Sequence, residues 1–293
     1  MVKKGLILLF LIPTVIFSQM LDNRSGNAFT DVPFFNSEFI RANSIKQLNG
    51  QFTYKKSGDI MRLKEYKNVY EFDTLGRLIR SYETKKDDGT KDTTSNVYIY
   101  SEKNLLKTHK KGDKFGFSTT TLTFDSKNRI TKEENYREYR DSLGVMQKIL
   151  LNSETMVYED FENQTKKTTF NSYGLPYLQE FSYYNEFGYL MERRERLMVT
   201  SEVTSQKYEY NSNGWIAVLR TFKQNTEKPA EEIVFTYDEN GNLLEKHIYQ
   251  EGIFTTEIEV LYNEKSKLIT YVLTRDVATN FIQILRFNTL TFF

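Results

Sequence analysis

Three aspartates, Asp73, Asp125 and Asp238, stand at equivalent places in recurring stretches such as FTYDENGNLLEKH (Phe235 to His247). Paired carboxylates are the working groups of most glycoside hydrolases, and the D-x-x-x-G spacing raises calcium as a second chemistry. An EF-hand loop needs alternating oxygen ligands and a distal Glu, which DENGN does not supply. Recurrence argues against catalysis: an active site is ordinarily built once, whereas a hairpin turn is built as often as a chain requires. Other reactive types are scarce. The two histidines, His109 and His247, are far apart in sequence and there is no cysteine, so a transition-metal centre or a Cys/His nucleophile has almost no groups to draw on. The expectation is a non-enzyme with no catalytic residue, metal ligand or cofactor.

Aromatic side chains are the stronger candidates for recognition. The chain carries 20 Tyr, 22 Phe and one Trp, 15% of its residues, and most must fill a core. Tyr189 and Trp215 each follow a turn glycine directly, at positions where the aligned stretches carry Arg77, Arg129, Asn242 or Lys267. They are expected to face solvent, where rings stack on sugars or anchor a partner protein. Tyr189 and Trp215 are therefore the candidate ligand-binding rim.

The elements that position these residues are visible as columns. Aligned on Tyr54, Phe72, Tyr100, Phe124, Phe170, Tyr184, Tyr210, Tyr237 and Tyr262, the next residue is Asp or Asn in seven of nine copies. Gly or Asn stands four residues after the aromatic in eight copies, and an aliphatic stands six after it in eight. A type I turn with a G1 bulge needs a side-chain acceptor at its first position and a left-handed residue at its fourth. The unit is a β-hairpin. Alternation such as Tyr208-Glu209-Tyr210 gives each strand one apolar face, and the repeat of about 25 residues is two strands with two turns. In the 46-residue gap before Phe170 the columns fade, and one degenerate repeat is expected there. The fold class is all-β: a repetitive antiparallel hairpin meander whose long twisted sheet curls into a half-barrel or short spiral.

These columns resemble the YD-repeat, or Rhs-like repeat, family. YEFDTLGRLIRSYE (Tyr70 to Glu83), FTYDENGNLLEKH, YEYNSNGWIAV (Tyr208 to Val218) and YYNEFGYLMER (Tyr183 to Arg193) are the best copies, and the resemblance covers roughly residues 50 to 270. It implies a β-sheet wound into a shell; some relatives enclose a toxin domain, and sugar binding is attributed to some. The chain lacks the Asp-Pro-x-Gly motif that precedes toxin domains, shows no nonrepetitive C-terminal effector, and has too few repeats to enclose much. The toxin-shell function is not carried over. The resemblance is to a small secreted bacterial member.

Three segments are expected: a signal peptide at 1–18, an N-terminal segment at 19–50, and the repeat domain at 51–293. Lys3 and Lys4 precede an apolar run of thirteen from Gly5 to Phe17, with Ser18 before Gln19, which reads as a cleavable leader rather than a span of roughly 20 residues. No transmembrane helix remains after cleavage. Residues 19 to 30 are expected to be flexible, and a short helix starts at Asn36 or Ser37, with Phe39 and Ile40 on its apolar side, plugging an edge of the sheet. Without Lys3 and Lys4, 40 basic against 39 acidic residues become 38 against 39, which leaves no electrostatic case for nucleic acid.

The functional expectation is a noncatalytic exported protein of the periplasm, cell surface or exterior, binding a glycan or envelope partner or serving a structural role. The alternative is an outer-membrane β-barrel, which would share the alternating strands and the aromatic terminus LTFF. Charges on both faces of ITKEENYREYRD (Ile130 to Asp141) argue against that alternative.

Overall fold

A computed structural model describes residues 19–87, 90–224 and 226–293; the expected signal peptide lies outside the described residues. After the helix α1 (Ser37–Ala42), the described chain forms β1 (Ile45–Lys55), β2 (Arg62–Phe72), β3 (Leu78–Asp87), β4 (Thr90–Tyr100), β5 (Leu106–Asp113), β6 (Gly116–Phe124), β7 (Ile130–Arg140), β8 (Met146–Phe161) and β9 (Gln164–Phe170). It continues through β10 (Pro176–Tyr184), β11 (Leu190–Leu197), β12 (Val203–Tyr210), β13 (Ile216–Phe222), β14 (Glu231–Tyr237), β15 (Leu243–Gln250), β16 (Ile253–Tyr262), β17 (Ile269–Asp276) and β18 (Phe281–Phe292). Each strand pairs antiparallel with the next, and β1 pairs with both β2 and β18.

That last pairing corrects the expected half-barrel or spiral: the sheet closes into a barrel of eighteen strands. Closure removes the unpaired edges that an open meander would expose. The seam matches apolar residues on the inner face, Leu48 with Leu290 and Phe52 with Leu285, and sets Gly50 opposite Phe287. A Cβ on Gly50 would stand 2.5 Å from Leu285 Cδ1, so the missing side chain makes room for β18. The sheet also begins at Ile45, ahead of the expected boundary at residue 51.

The turns show why the columns exist. Asp73 Oδ1 accepts from the N–H groups of Leu75 (3.0 Å) and Arg77 (2.9 Å), and Asp125 and Asp238 repeat this at Lys127 and Arg129 and at Asn240 and Asn242. The aromatic column clamps successive hairpins together. Four of its tyrosine hydroxyls donate to a main-chain carbonyl of the preceding repeat: Tyr100 to Leu78 (2.8 Å), Tyr210 to Leu190 (2.8 Å), Tyr237 to Ile216 (2.8 Å) and Tyr262 to Leu243 (2.9 Å). Tyr158 does the same to Ile130 at 2.9 Å. It anchors the degenerate repeat, whose turn has shrunk to Glu162 and Asn163 between β8 and β9.

Seven of the nine aligned turns share one rim, and those after Tyr54 and Phe170 lie on the opposite one, because each strand reverses the direction of the chain. The first rim also receives the N-terminal segment. The expectation of a flexible stretch at 19–30 is corrected, since Met20, Leu21 and Ala28 are buried. Apolar side chains drive this segment inward: Phe35 meets Tyr70 and Phe72 edge-on at 4.9 and 5.1 Å, and Phe39 and Ile40 of α1 are buried. Asn36 caps α1, accepting from the N–H groups of Glu38 and Phe39. Residues 19 to 44 thus form a plug inside one mouth of the barrel.

Strand alternation separates a luminal face, defined by contact with the plug, from an outer face. Tyr98 and Lys111 touch the plug, and their register partners His109, Thr120, Asn135, Ser118 and Arg137 continue the luminal face away from it. Eighteen strands enclose more space than side chains alone fill. The outer face carries ion pairs among exposed apolar side chains such as Ile99, Leu150 and Leu261: Glu71 with Arg80 (3.8 Å), Lys110 with Glu138 (2.7 Å), Arg275 with Glu257 (2.6 Å), and Arg220 between Glu209 and Glu232. Among the described residues no helix is long and apolar enough to cross a membrane.

Candidate ligand-binding site

Beneath the plug the lumen holds a cavity of about 650 Å³, lined by Phe29 and Phe34 of the plug and by Phe52, Tyr70 and Tyr98 of the wall. Asn68, Ser81, Glu83, Asn96, Lys111, Thr274 and Gln283 intersperse these rings with polar groups. The alternation follows from the fold. Aromatics near the plugged rim face inward, and two residues further down β2 and β4 the luminal positions become polar, Asn68 below Tyr70 and Asn96 below Tyr98.

The plug is fastened at the cavity wall by specific bonds. The Tyr98 hydroxyl donates to the Asp31 carbonyl at 2.9 Å, and the Lys111 ammonium pairs with the Asp31 carboxylate. Tyr98 stacks on His109, centroids 4.9 Å apart and planes 2° from parallel, while His109 Nε2 meets Asn96 Oδ1 at 2.9 Å. Burial pushes the Tyr98 phenol up to about 12, and burial raises Tyr70 as well. Both stay protonated at neutral pH and remain donors. Burial lowers the His109 pKa, opposed in part by Asp31.

On the other side of the plug, Asn23 donates to the Tyr237 hydroxyl at 2.9 Å and Lys246 donates to the Ala28 carbonyl at 3.0 Å. Lys246 is buried, and that burial lowers its pKa.

Tyr189 and Trp215 lie on neighbouring turns of the plugged rim, between β10 and β11 and between β12 and β13. The structure brings them into one row of rings but turns them along the rim. Tyr189 packs on Tyr210 with centroids 4.8 Å apart and is 40% exposed; Trp215 packs on Tyr237 at 5.4 Å and is half-buried rather than projecting into solvent. Arg77 over Tyr100 (4.8 Å) and Arg129 over Tyr158 (4.3 Å) fill the same slot, so this position covers the clamp tyrosine of the next repeat.

Sequence reasoning missed the luminal residues Asn96 and Lys111, and weighed His109 only as one of two scattered histidines. Their only signal is the period-2 polarity of β4 and β5, which by itself does not distinguish lumen from exterior. Among the described residues no group of three His, Asp or Glu side chains is placed to hold a metal ion. Chemically, the cavity offers apolar ring faces together with hydroxyl and amide groups, the Glu83 carboxylate, and the Lys111 ammonium paired with the Asp31 carboxylate.

No family model matches the sequence, and no curated protein matches it. Among solved structures the chain is similar to a porin-like protein from Bacteroides uniformis ATCC 8492, with 11% identity and a TM-score of 0.39, covering 85% of this chain and 97% of that one. It is similar to the TcdB2-TccC3-Cdc42 structure, with 12% identity and a TM-score of 0.31, covering 73% of this chain. The TcdB2-TccC3 structure gives 14% identity, a TM-score of 0.32 and 74% coverage of this chain. The chain spans 14% and 15% of the length of those two matched chains.

Proposed function

We propose that this is an exported, noncatalytic binding protein of the cell envelope that holds a glycan or glycan-bearing partner in its plugged lumen. The observation that carries the reading is the cavity itself. At about 650 Å³ it falls within the usual range for ligand sites, roughly 300–1,000 Å³. Its wall alternates aromatic faces with amide, hydroxyl and charged groups. A sugar presents the complementary alternation: C–H faces that stack on rings and hydroxyls that need both donors and acceptors. The rim row of Tyr189 and Trp215 would extend the same recognition outward.

An outer-membrane barrel is the second reading, favoured by the closure of the sheet. The outer ion pairs weigh against it, because a Lys or Arg facing lipid at the bilayer midplane costs roughly 2–4 kcal/mol and such residues recur around the wall. A barrel standing in water has no such cost.

The test is saturable binding of residues 19–293 to a panel of envelope and environmental polysaccharides, with released sugars measured in the same samples. Binding weakened by Asn96→Ala supports the luminal site, and further weakening by Trp215→Ala extends it to the rim. Sugar release would overturn the noncatalytic reading, and absence of binding across the panel would overturn the glycan reading.

A further inference from the structure

The luminal face carries a row of polar side chains that leaves the cavity and ends at the open mouth. Register partners on five adjacent strands set Tyr98, His109, Thr120, Asn135 and Asn152 side by side. The row starts in the cavity wall at Tyr98, two residues before β4 ends at the plugged rim. It finishes at Asn152, whose Oδ1 accepts from Ser172 Oγ at 3.1 Å, and Ser172 belongs to the β9–β10 turn of the opposite rim. Strands of a barrel tilt against its axis, so partners taken straight across the sheet climb from one rim to the other.

The groups of the row hold one another in place. Thr120 Oγ1 donates to Asn135 Oδ1 at 2.6 Å, Asn135 Nδ2 donates to Glu133 at 3.0 Å, and Asn152 Nδ2 donates to Glu154 at 2.7 Å. Each bond takes one N–H or one lone pair of an amide that has two of each, so Asn135 and Asn152 keep a donor and an acceptor for a ligand. The residues from His109 to Asn152 are half-buried. Glu133 and Glu154 flank the row on the plug side, and Lys111 and Arg137 flank it on the other. Both signs of charge border it, so it matches neither a polyanion nor a polycation along its length.

Spacing decides what the row fits. Neighbouring strands stand roughly 4.7–4.9 Å apart, close to the length of one pyranose unit in an extended chain, whereas an extended peptide advances only about 3.3 Å per residue. One sugar unit per strand brings its hydroxyls, each both donor and acceptor, to the same kind of group at every step. The four steps from Tyr98 to Asn152 span roughly 19 Å.

We infer that the lumen binds an extended, uncharged polysaccharide chain, which enters at the open mouth by Ser172, lies along Asn152, Asn135, Thr120 and His109, and ends against Tyr98 beneath the plug. This rests on the glycan reading above and deepens it: the site takes a run of about five units, one per strand, rather than a single sugar. The plug fills the far mouth, so the chain is held by its end and does not pass through.

The test is titration of residues 19–293, which contain the whole barrel and its plug, with size-graded oligosaccharides of one to six units: the cello- and chito-oligosaccharide series and partial hydrolysates of each panel polysaccharide that binds. Affinity should rise at least ~tenfold from two units to five, because the longer chain gains several hydrogen bonds, and level off beyond. Asn135→Ala with Asn152→Ala should remove that gain. Thr120→Val, which keeps the shape and deletes one hydroxyl, provides a milder variant, and melting temperatures verify folding. Glu134→Gln, on the outer face beside Asn135 and paired there with Lys132, should have no effect. Binding that does not depend on length, or a length dependence indifferent to the double substitution, overturns the extended site and leaves the glycan reading standing. Absence of binding by every oligosaccharide and every panel polysaccharide overturns both.

Discussion

Trp215 lies across Tyr237, ring centroids 5.4 Å apart at 46°, while the Tyr237 hydroxyl donates to the Ile216 carbonyl beside the tryptophan and accepts from Asn23 of the plug. One ring pair thus joins two repeats and ties both to the plug.

Trp215→Ala should therefore destabilise the barrel even if no ligand touches it. Loss of an aromatic pair beyond its area costs about 0.5–1.5 kcal/mol, and the lost burial adds to this. Trp215→Arg should recover part of the loss, because arginine occupies the same slot over Tyr100 and Tyr158. Thermal unfolding of the two variants checks the order. A full loss of ligand binding with unchanged stability would instead assign Trp215 to recognition.

Tyr237→Phe keeps the ring and removes the hydroxyl that serves the plug. The expected cost is about 0.5–1.5 kcal/mol for each hydrogen bond lost, and the consequence should be local. Amide exchange in residues 19 to 30 should quicken, while strands β5 to β8, remote from this contact, keep their protection.

Gly50→Ala probes closure. The added Cβ meets Leu285 at 2.5 Å and Phe287 at 3.2 Å, so β1 and β18 must separate or Leu285 must leave its rotamer. Overpacking of this kind costs about 1–3 kcal/mol. Denaturant unfolding should show the loss, and amide exchange should place it at the β1–β18 seam.

His109 should make stability depend on pH. Burial lowers its pKa below the ordinary 6.5, so between the folded value and 6.5 the unfolded chain binds more protons than the folded one. Its contribution is complete above 6.5 and declines as pH falls through that interval. Mild acid should loosen the arc of β4 and β5 with the plug contact at Asp31, and His109→Gln should flatten that part of the profile. Stability followed across the acid range for both proteins decides it.

The sequence by itself determined the local pieces. Turn acceptors such as Asp73 and Asp238, left-handed residues such as Gly241, and the alternation in Tyr208-Glu209-Tyr210 act within a few residues of the chain, so each hairpin is legible without its neighbours. The choice of Tyr was visible as a column, but its reason, a hydroxyl reaching the carbonyl of the preceding repeat, needs two repeats side by side. Closure was not legible. It depends on β1 meeting β18 across most of the chain, where a missing side chain at Gly50 and the match of Phe52 with Leu285 settle a pairing that no local pattern encodes. The candidate cavity follows from that closure, because Asn96, His109 and Lys111 become luminal only once the ring is complete and residues 19 to 44 fold back into one mouth. The row from Tyr98 to Asn152, spread over 55 residues of sequence, joins that cavity to the open mouth for the same reason: only the tilted strands of a closed barrel carry register partners from one rim to the other.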